Sequence, residues 1–344
     1  MARTLIGGAA GDSVLAGEHE IEIRSIGWSG SARSQWSFRA EATSKTPRKS
    51  VVQRLIVVAA VGHGMRVVLS AIWIALFALL GQARAESADS ALSAAIDGAW
   101  REPQNRARDA YRHPYESMTF WGLKPGMTVV EVDPGVRGWW TEILAPYARA
   151  TGGAYIAALP DRAQSGAAAE SPDAAHAAFW KGVADKSVFG EVKAYDVGPQ
   201  HPDSIPAGSV DLVLVARAFH NWARQGDATQ TYLHAFFTML KPGGILAVEQ
   251  HRAPESADPR AGTGYVPEFY VIEEARKVGF VLEAKSEINA NPKDTRDHPF
   301  GVWTLPPTRR SAPAGQPADP NFDHVKYDAI GESDRMTLRL RKPD

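Results

Sequence analysis

The sequence predicts a doubly wound α/β domain built on a seven-stranded, mostly parallel sheet with an antiparallel last strand. Three observations carry this expectation. The run Val129-Val130-Glu131-Val132 breaks into Asp133-Pro134-Gly135-Val136-Arg137-Gly138, and a helical pattern with Trp140, Ile143 and Leu144 on one face follows. Strand, glycine turn and helix in that order open a doubly wound sheet. Val210 to Ala216 is a near-continuous apolar run, as in a parallel strand buried on both faces. Met336 to Arg341 alternates apolar and basic residues, the period-two pattern of a strand.

Taken in order, residues 1–64 read as a poorly ordered extension, or as sequence upstream of the true start if synthesis begins at Met65. Residues 1–50 are rich in Gly, Ala, Ser and Arg, with only a weak alternation at Ile21-Glu22-Ile23-Arg24. Residues 65–85 hold Met65-Arg66, an apolar run from Val67 to Leu80 and the small-x-small end Ala83-Arg84-Ala85. These are the three regions of a secretory signal peptide. Because Leu55 to Val61 upstream is also apolar, an uncleaved membrane anchor is the alternative. The expected location is therefore periplasmic or exported, or anchored in the inner membrane.

Residues 86–122 read as a helical cover segment, with a helix from Asp89 to Trp100, and residues 123–344 as the α/β domain. Leu123-Lys124-Pro125-Gly126-Met127 is a turn into the first strand. A second strand follows at Ala154 to Leu159, a helix at Asp173 to Asp185 and a third strand at Glu191 to Tyr195. After the strand Val210 to Ala216, a helix from Thr229 to Leu240 is stopped by Lys241-Pro242-Gly243-Gly244. The strand Ile245 to Glu249, a helix from Pro267 to Val278 with Gly279 as its stop, and a strand from Phe280 to Ile288 come next. Residues 289–333, rich in proline, read as a long loop or arm.

A formal net charge of −1 gives no general bias towards nucleic acid or anionic membrane. The absence of cysteine excludes disulfides, thiolate metal sites and a cysteine nucleophile. Apolar content of 44% allows a sizeable core. The expected partner is a small molecule. No nucleic acid is expected, any membrane contact would be made by an uncleaved N-terminal segment, and nothing indicates an oligomeric state.

Strand and helix alternate five times before an antiparallel pair closes the chain, and this order resembles the class I S-adenosylmethionine-dependent methyltransferases. Four places carry the resemblance: Glu131 before the glycine turn, Asp196 after the third strand, Asp211-Leu212-Val213-Leu214-Val215, and Leu240-Lys241-Pro242-Gly243-Gly244-Ile245-Leu246. More narrowly, four further pieces look like a bacterial group of exported methyltransferases. They are Arg112-His113-Pro114, Trp139 to Pro146, Phe219-His220-Asn221-Trp222 and Asn289-Ala290-Asn291-Pro292. The resemblance implies S-adenosylmethionine as cofactor, held by Glu131, Asp133, Gly135, Gly138, Asp196, Ala216 and Arg217. In that family the acid after the third strand contacts the adenine amino group. The acceptor would be small or lipid-like.

The turn departs from the family's Gly-x-Gly-x-Gly, with Asp133 in place of the first glycine and Val136 and Arg137 where small residues are usual. The second strand ends in Ala157-Ala158-Leu159-Pro160, and Asp161 is the nearest acid for ribose hydroxyls. His220 and His113 are the candidate proton acceptors, each weighed against a purely structural hydrogen bond. Glu249 and His251, with Asp211 or His220, lack a metal-ligand spacing, and no metal is expected. Trp139, Trp140 and Phe120 read as core or pocket wall, because no basic stripe accompanies them. Two rivals stand beside the methyltransferase. One is a non-catalytic exported binding protein that keeps the fold. The other is an NAD(P)-dependent oxidoreductase, from the spacing Asp133-x-Gly135-x-x-Gly138 with Asp161 downstream.

Overall fold

The computed structural model describes residues 13–16, 19–29, 35–44, 53–60, 90–135, 138–160, 172–260 and 262–344. The segment 65–85 lies outside them, as do Val136, Arg137 and Asp161. The chain divides into two compact units, Met1–Ser87 and Ala88–Asp344. In the first, β1 (Ser13–Ala16), β2 (His19–Ser29), β3 (Gln35–Ser44) and β4 (Gln53–Ala60) make an antiparallel sheet in chain order. Poor order was the expectation here. Local alternation at Ile21–Arg24 is weak, and the backbone of β2 pairs along both edges, with β1 and with β3.

The second unit opens with four short helices, α1 (residues 90–96), α2 (Pro103–Arg106), α3 (Asp109–Arg112) and α4 (Pro114–Trp121). Then come β5 (Thr128–Val132), α5 (Thr141–Thr151), β6 (Ala154–Pro160), α6 (Pro172–Gly182), α7 (Lys186–Phe189) and β7 (Lys193–Val197). The second half holds β8 (Val210–Ala216), α8 (Phe219–Ala223), α9 (Ala228–Met239) and β9 (Leu240–Ala253). It ends with β10 (Val266–Pro267), α10 (Glu268–Val278), β11 (Val281–Ser286), α11 (Val325–Ile330) and β12 (Arg335–Arg341).

The sheet runs β11-β12-β9-β8-β5-β6-β7. From β9 to β7 every pair is parallel, and β12 lies antiparallel between β9 and β11. The order reverses between β5 and β8, the switch point whose carboxyl edge is the usual ligand site of such sheets. The seven expected strands are joined by an eighth, β10, which pairs in parallel with Arg252 and Ala253 at the end of β9.

Alternation along the strands separates two cores. Val130, Val132, Val213, Val215, Leu246, Val248, Met336 and Leu338 bury one face against α9 and α10. Val129, Leu212, Leu214, Ile245 and Ala247 bury the other against α1, α4 and α5, with Trp121, Trp139, Trp140 and Ile143 filling it. Trp139 and Trp140 are thus core, and Phe120 packs against the same cluster. Pro146 inside α5 has no N–H to give the carbonyl four residues back. That carbonyl, of Glu142, accepts instead from Trp100 Nε1 at 2.8 Å and ties the cover segment down. Among the described residues no helix is long and apolar enough to cross a membrane.

One expected strand needs correction in its bounds. The third strand lies two residues later than expected, at Lys193–Val197, so Asp196 is inside it. Residues 289–333, read as a long loop or arm, are mostly without regular structure, with a 3-10 turn at Gly301–Thr304 and α11. What the reading did not contain is that Asn289, Asp294 and His298 are buried.

Candidate active site

At the end of β5 the backbone keeps a glycine-like path without the first glycine. Asp133 takes φ +50°, and Gly135 and Gly138 take +66° and +48°. Asp is one of the few side chains that enters this left-handed region at modest cost. The Asp133 N–H donates to the Ala158 carbonyl at 2.9 Å, fixing the turn against β6. The two glycines serve different ends. A Cβ on Gly138 would stand 3.1 Å from Thr141, so Gly138 permits close packing of turn on α5, whereas a Cβ on Gly135 would meet nothing within 4 Å.

Beneath the turn Glu131 is buried on the tryptophan-rich face. Its Oε2 accepts from Tyr155 Oη at 2.7 Å and Thr141 Oγ1 at 2.8 Å. Burial pushes the Glu131 pKa up to about 7 despite those two donors. Burial also raises Asp133, with Arg217 opposing the shift. Asp196 lies at the carboxyl end of β7, with His176 Nε2 3.9 Å from its Oδ1. Ala216 ends β8, and Arg217 follows with φ +59° and a backbone N–H donating to the Glu249 carbonyl at 2.6 Å. Burial lowers the Arg217 pKa, with Glu249 and Glu332 acting against it. The predicted cofactor residues are thereby set along one sheet edge, with Val136 and Arg137 of the turn outside the described residues.

On the tryptophan face the same edge carries a buried ion network that sequence reasoning missed. Glu332 accepts from Arg108 Nε at 2.6 Å, Arg112 Nε at 3.0 Å and Arg335 Nη1 at 2.6 Å. Arg335 Nε lies 2.8 Å from Glu249 Oε1. Arg112 also lies over the Trp139 ring, 4.8 Å from its centroid. The signal was present as separate pieces, because Arg112, Trp139 and Asn289 each stand in a motif noted above, but no spacing joins them.

The two candidate histidines have opposite tautomers. Asn289 Nδ2 donates to Ser117 and Thr337, which leaves Asn289 Oδ1 to accept from His113 Nδ1 at 3.2 Å. His113 thus uses Nδ1 as the donor, and it is held at φ +42°. For His220, Gln250 Nε2 is oriented by the Gly264 carbonyl at 3.0 Å and donates to His220 Nδ1 at 3.3 Å. The His220 proton is then on Nε2, and burial lowers its pKa to about 4. That makes His220 a hydrogen-bond donor rather than the proton acceptor expected from its position. Among the described residues no group of three or more His, Asp or Glu is placed to hold a metal ion.

Beside His220 opens a cleft of about 580 Å³, lined by Arg217, Asn221, Arg224, Trp303 and Arg310 among others. Trp303 and Arg310 come from the 289–333 stretch that read as loop, and nothing local in that stretch marks them as site residues.

No family model and no curated protein matches the chain. Solved structures of similar fold include a SAM-dependent methyltransferase from Aquifex aeolicus, at 16% identity over 70% of this chain and 94% of that one, with a TM-score of 0.43. Another is the [4+2]-cyclase SpnF, at 16% identity over 68% and 82%, with a TM-score of 0.44. A third is the Burkholderia thailandensis 1,6-didemethyltoxoflavin-N1-methyltransferase with bound S-adenosylhomocysteine, at 14% identity over 89% and 96%, with a TM-score of 0.38. Likenesses this distant leave fold and activity to be argued from the chain's own strand order and site.

Proposed function

We propose that the chain is an S-adenosylmethionine-dependent methyltransferase acting on a small-molecule acceptor. The observation that carries the reading is the turn after β5 at the switch point, where Asp133 keeps the left-handed backbone of a glycine and Gly135 borders open space. The antiparallel β12 between β9 and β11 argues against the oxidoreductase, whose dinucleotide fold has the order 3-2-1-4-5-6.

The residues present fit the cofactor. Glu131 and Asp133 supply negative potential for its ammonium end, Gly135 leaves room for close approach, and Asp196 offers an acceptor two strands along the same edge. When bound, S-adenosylmethionine supplies a methyl group on a positively charged sulfonium, activated for transfer to a nucleophile. Alignment of the nucleophile carries much of such a reaction. The chain's part is then to bind the cofactor and align the nucleophile, with His113, whose Nδ1 donates to Asn289 Oδ1, as the candidate for taking up a proton at its other ring nitrogen. Export through Met65–Ala85 stays part of the proposal and rests on sequence alone.

Calorimetry with S-adenosylmethionine and the full chain tests this. Binding is expected, with Asp133→Gly changing affinity less than about tenfold, roughly 1.4 kcal/mol, since the backbone already follows the glycine path. Gly135→Ala should weaken binding by more than that, although its Cβ meets no protein atom. No binding by the parent chain would favour the non-catalytic binding protein.

A further inference from the structure

We propose that the cleft beside His220 is a receptor for an oxyanion, a carboxylate or phosphate on a small soluble molecule, with Arg217, Arg224 and Arg310 as its cationic wall. The cleft's lining contains these three arginines and no acidic residue. Among the described residues none of the three has a carboxylate within the 4.0 Å of an ion pair. Neighbouring arginines are paired: Arg309 with Asp328 at 2.9 Å, and Arg296 with Asp334 at 3.7 Å. Arg224 and Arg310 face the cavity without an acidic neighbour in its lining. Arg217, which feels Glu249 and Glu332 from behind, makes no direct ion pair with either, so the cavity itself is left with a positive field.

Each is also held in place. Arg217 sits in a left-handed backbone conformation, and its Nε is buried without a hydrogen-bond partner. A buried donor left unmet in this way points to a ligand atom that completes it. Arg310 and Arg224 lie over the Trp303 ring, 4.8 Å and 5.7 Å from its centroid. Arg224 Nη2 donates to Asn221 Oδ1 at 3.2 Å. Such anchoring limits rotamer freedom and leaves the remaining N–H groups of each fork for bidentate contact with an oxyanion. His220 adds a neutral donor, because its Nδ1 is taken by Gln250 and its proton is on Nε2. Trp303 reaches this position through the turn at Gly301, where the Val302 N–H donates to the Thr263 carbonyl at 2.8 Å. A Cβ at residue 301 would stand 2.3 Å from that same carbonyl oxygen, so the close contact depends on glycine.

If the methyltransferase reading holds, the oxyanion belongs to the acceptor, and the inference rests on that reading for this assignment alone. The anion site itself stands or falls independently. Calorimetry on the full chain would use inorganic phosphate, acetate, benzoate and phenyl phosphate. In parallel, phosphatidylcholine vesicles with and without phosphatidic acid would be tested by flotation. Saturable binding of at least one soluble anion is expected, weakened at least about tenfold in Arg224→Gln/Arg310→Gln. S-adenosylmethionine affinity in that variant should match the parent. Absence of soluble-anion binding, equal binding by parent and variant, or binding only to phosphatidic acid vesicles would overturn the proposal. Anion binding by a chain that does not bind S-adenosylmethionine would keep the anion site and remove the methyltransferase reading.

Discussion

Replacing Glu332 with Ala is expected to destabilise the second unit by about 3–5 kcal/mol, the cost of breaking a buried ion pair from one side. The side chain is 4% exposed and receives three guanidinium N–H groups. Without it Arg112 and Arg335, both buried, and the partly buried Arg108 would lose the carboxylate they share, leaving Arg335 with Glu249 at 2.8 Å. Burial pushes the Glu332 pKa up, but Arg335, Arg108 and Arg217 outweigh burial and hold it below the ordinary 4.5. An acid whose pKa is depressed by folding stabilises above its unfolded value, and that contribution is lost as pH falls through the folded value. The gap between parent and variant should therefore be full at neutral pH and close below 4.5. Urea unfolding of both proteins at several pH values measures it, and a neutral-pH difference under about 1 kcal/mol, the scale of an exposed pair, would contradict this account.

That network also marks where local pattern stops being informative. Val210 to Ala216 was legible to the residue, because a strand buried on both faces writes its burial into its own composition. The closing strand was legible because Met336, Leu338 and Leu340 enter one core while Thr337, Arg339 and Arg341 face the other way. The Pro-Gly-Gly segment was expected as a turn before a strand starting at Ile245, but β9 already begins at Leu240 and pairs irregularly with β8 there. The glycines still have a steric reason, since Gly243 takes φ +74° and a Cβ on Gly244 would stand 2.8 Å from the Lys241 carbonyl oxygen.

What failed was polar and long-range. Residues 289–333 look like loop because their order comes from single side chains bonded to distant backbone. Asn291 Nδ2 donates to the carbonyls of Ile330 and Glu332, and Asp294 accepts from the Asp334 N–H and Tyr265 Oη. Such bonds leave no periodicity. The third strand slipped by two residues because β7 is an edge strand, with only Val197 fully buried. For the site, the βα turn and the acids at strand ends were readable from order along the chain. The tautomers of His113 and His220 were not, since they depend on Asn289 and on Gln250 with Gly264.

Glu131→Gln is expected to leave stability unchanged near about pH 4 and raise it by about 3 kcal/mol near about pH 8. Folding raises the Glu131 pKa from 4.5 to about 7, chiefly by burial. The folded state therefore holds the proton more tightly than the unfolded state, and stability falls as pH rises between these two values, levelling off above the upper one. Glutamine imitates the protonated form. Its Oε1 can accept from Tyr155 and Thr141 as Glu131 Oε2 does, and it carries no charge to desolvate. Titrating groups away from Glu131 are common to both proteins and cancel in the difference, which leaves Asp133 and Tyr155 as the ones that respond to the substitution. Urea unfolding across this range reads that difference directly, and a parent-to-variant gap that does not change with pH would refute the assignment. The same substitution removes the carboxylate proposed to meet the cofactor's ammonium, so affinity for S-adenosylmethionine should fall by roughly tenfold to a hundredfold, about 1.5–3 kcal/mol for a charge-assisted hydrogen bond. Gained stability with lost affinity in one variant is the pattern of a buried charge kept for binding at the expense of the fold.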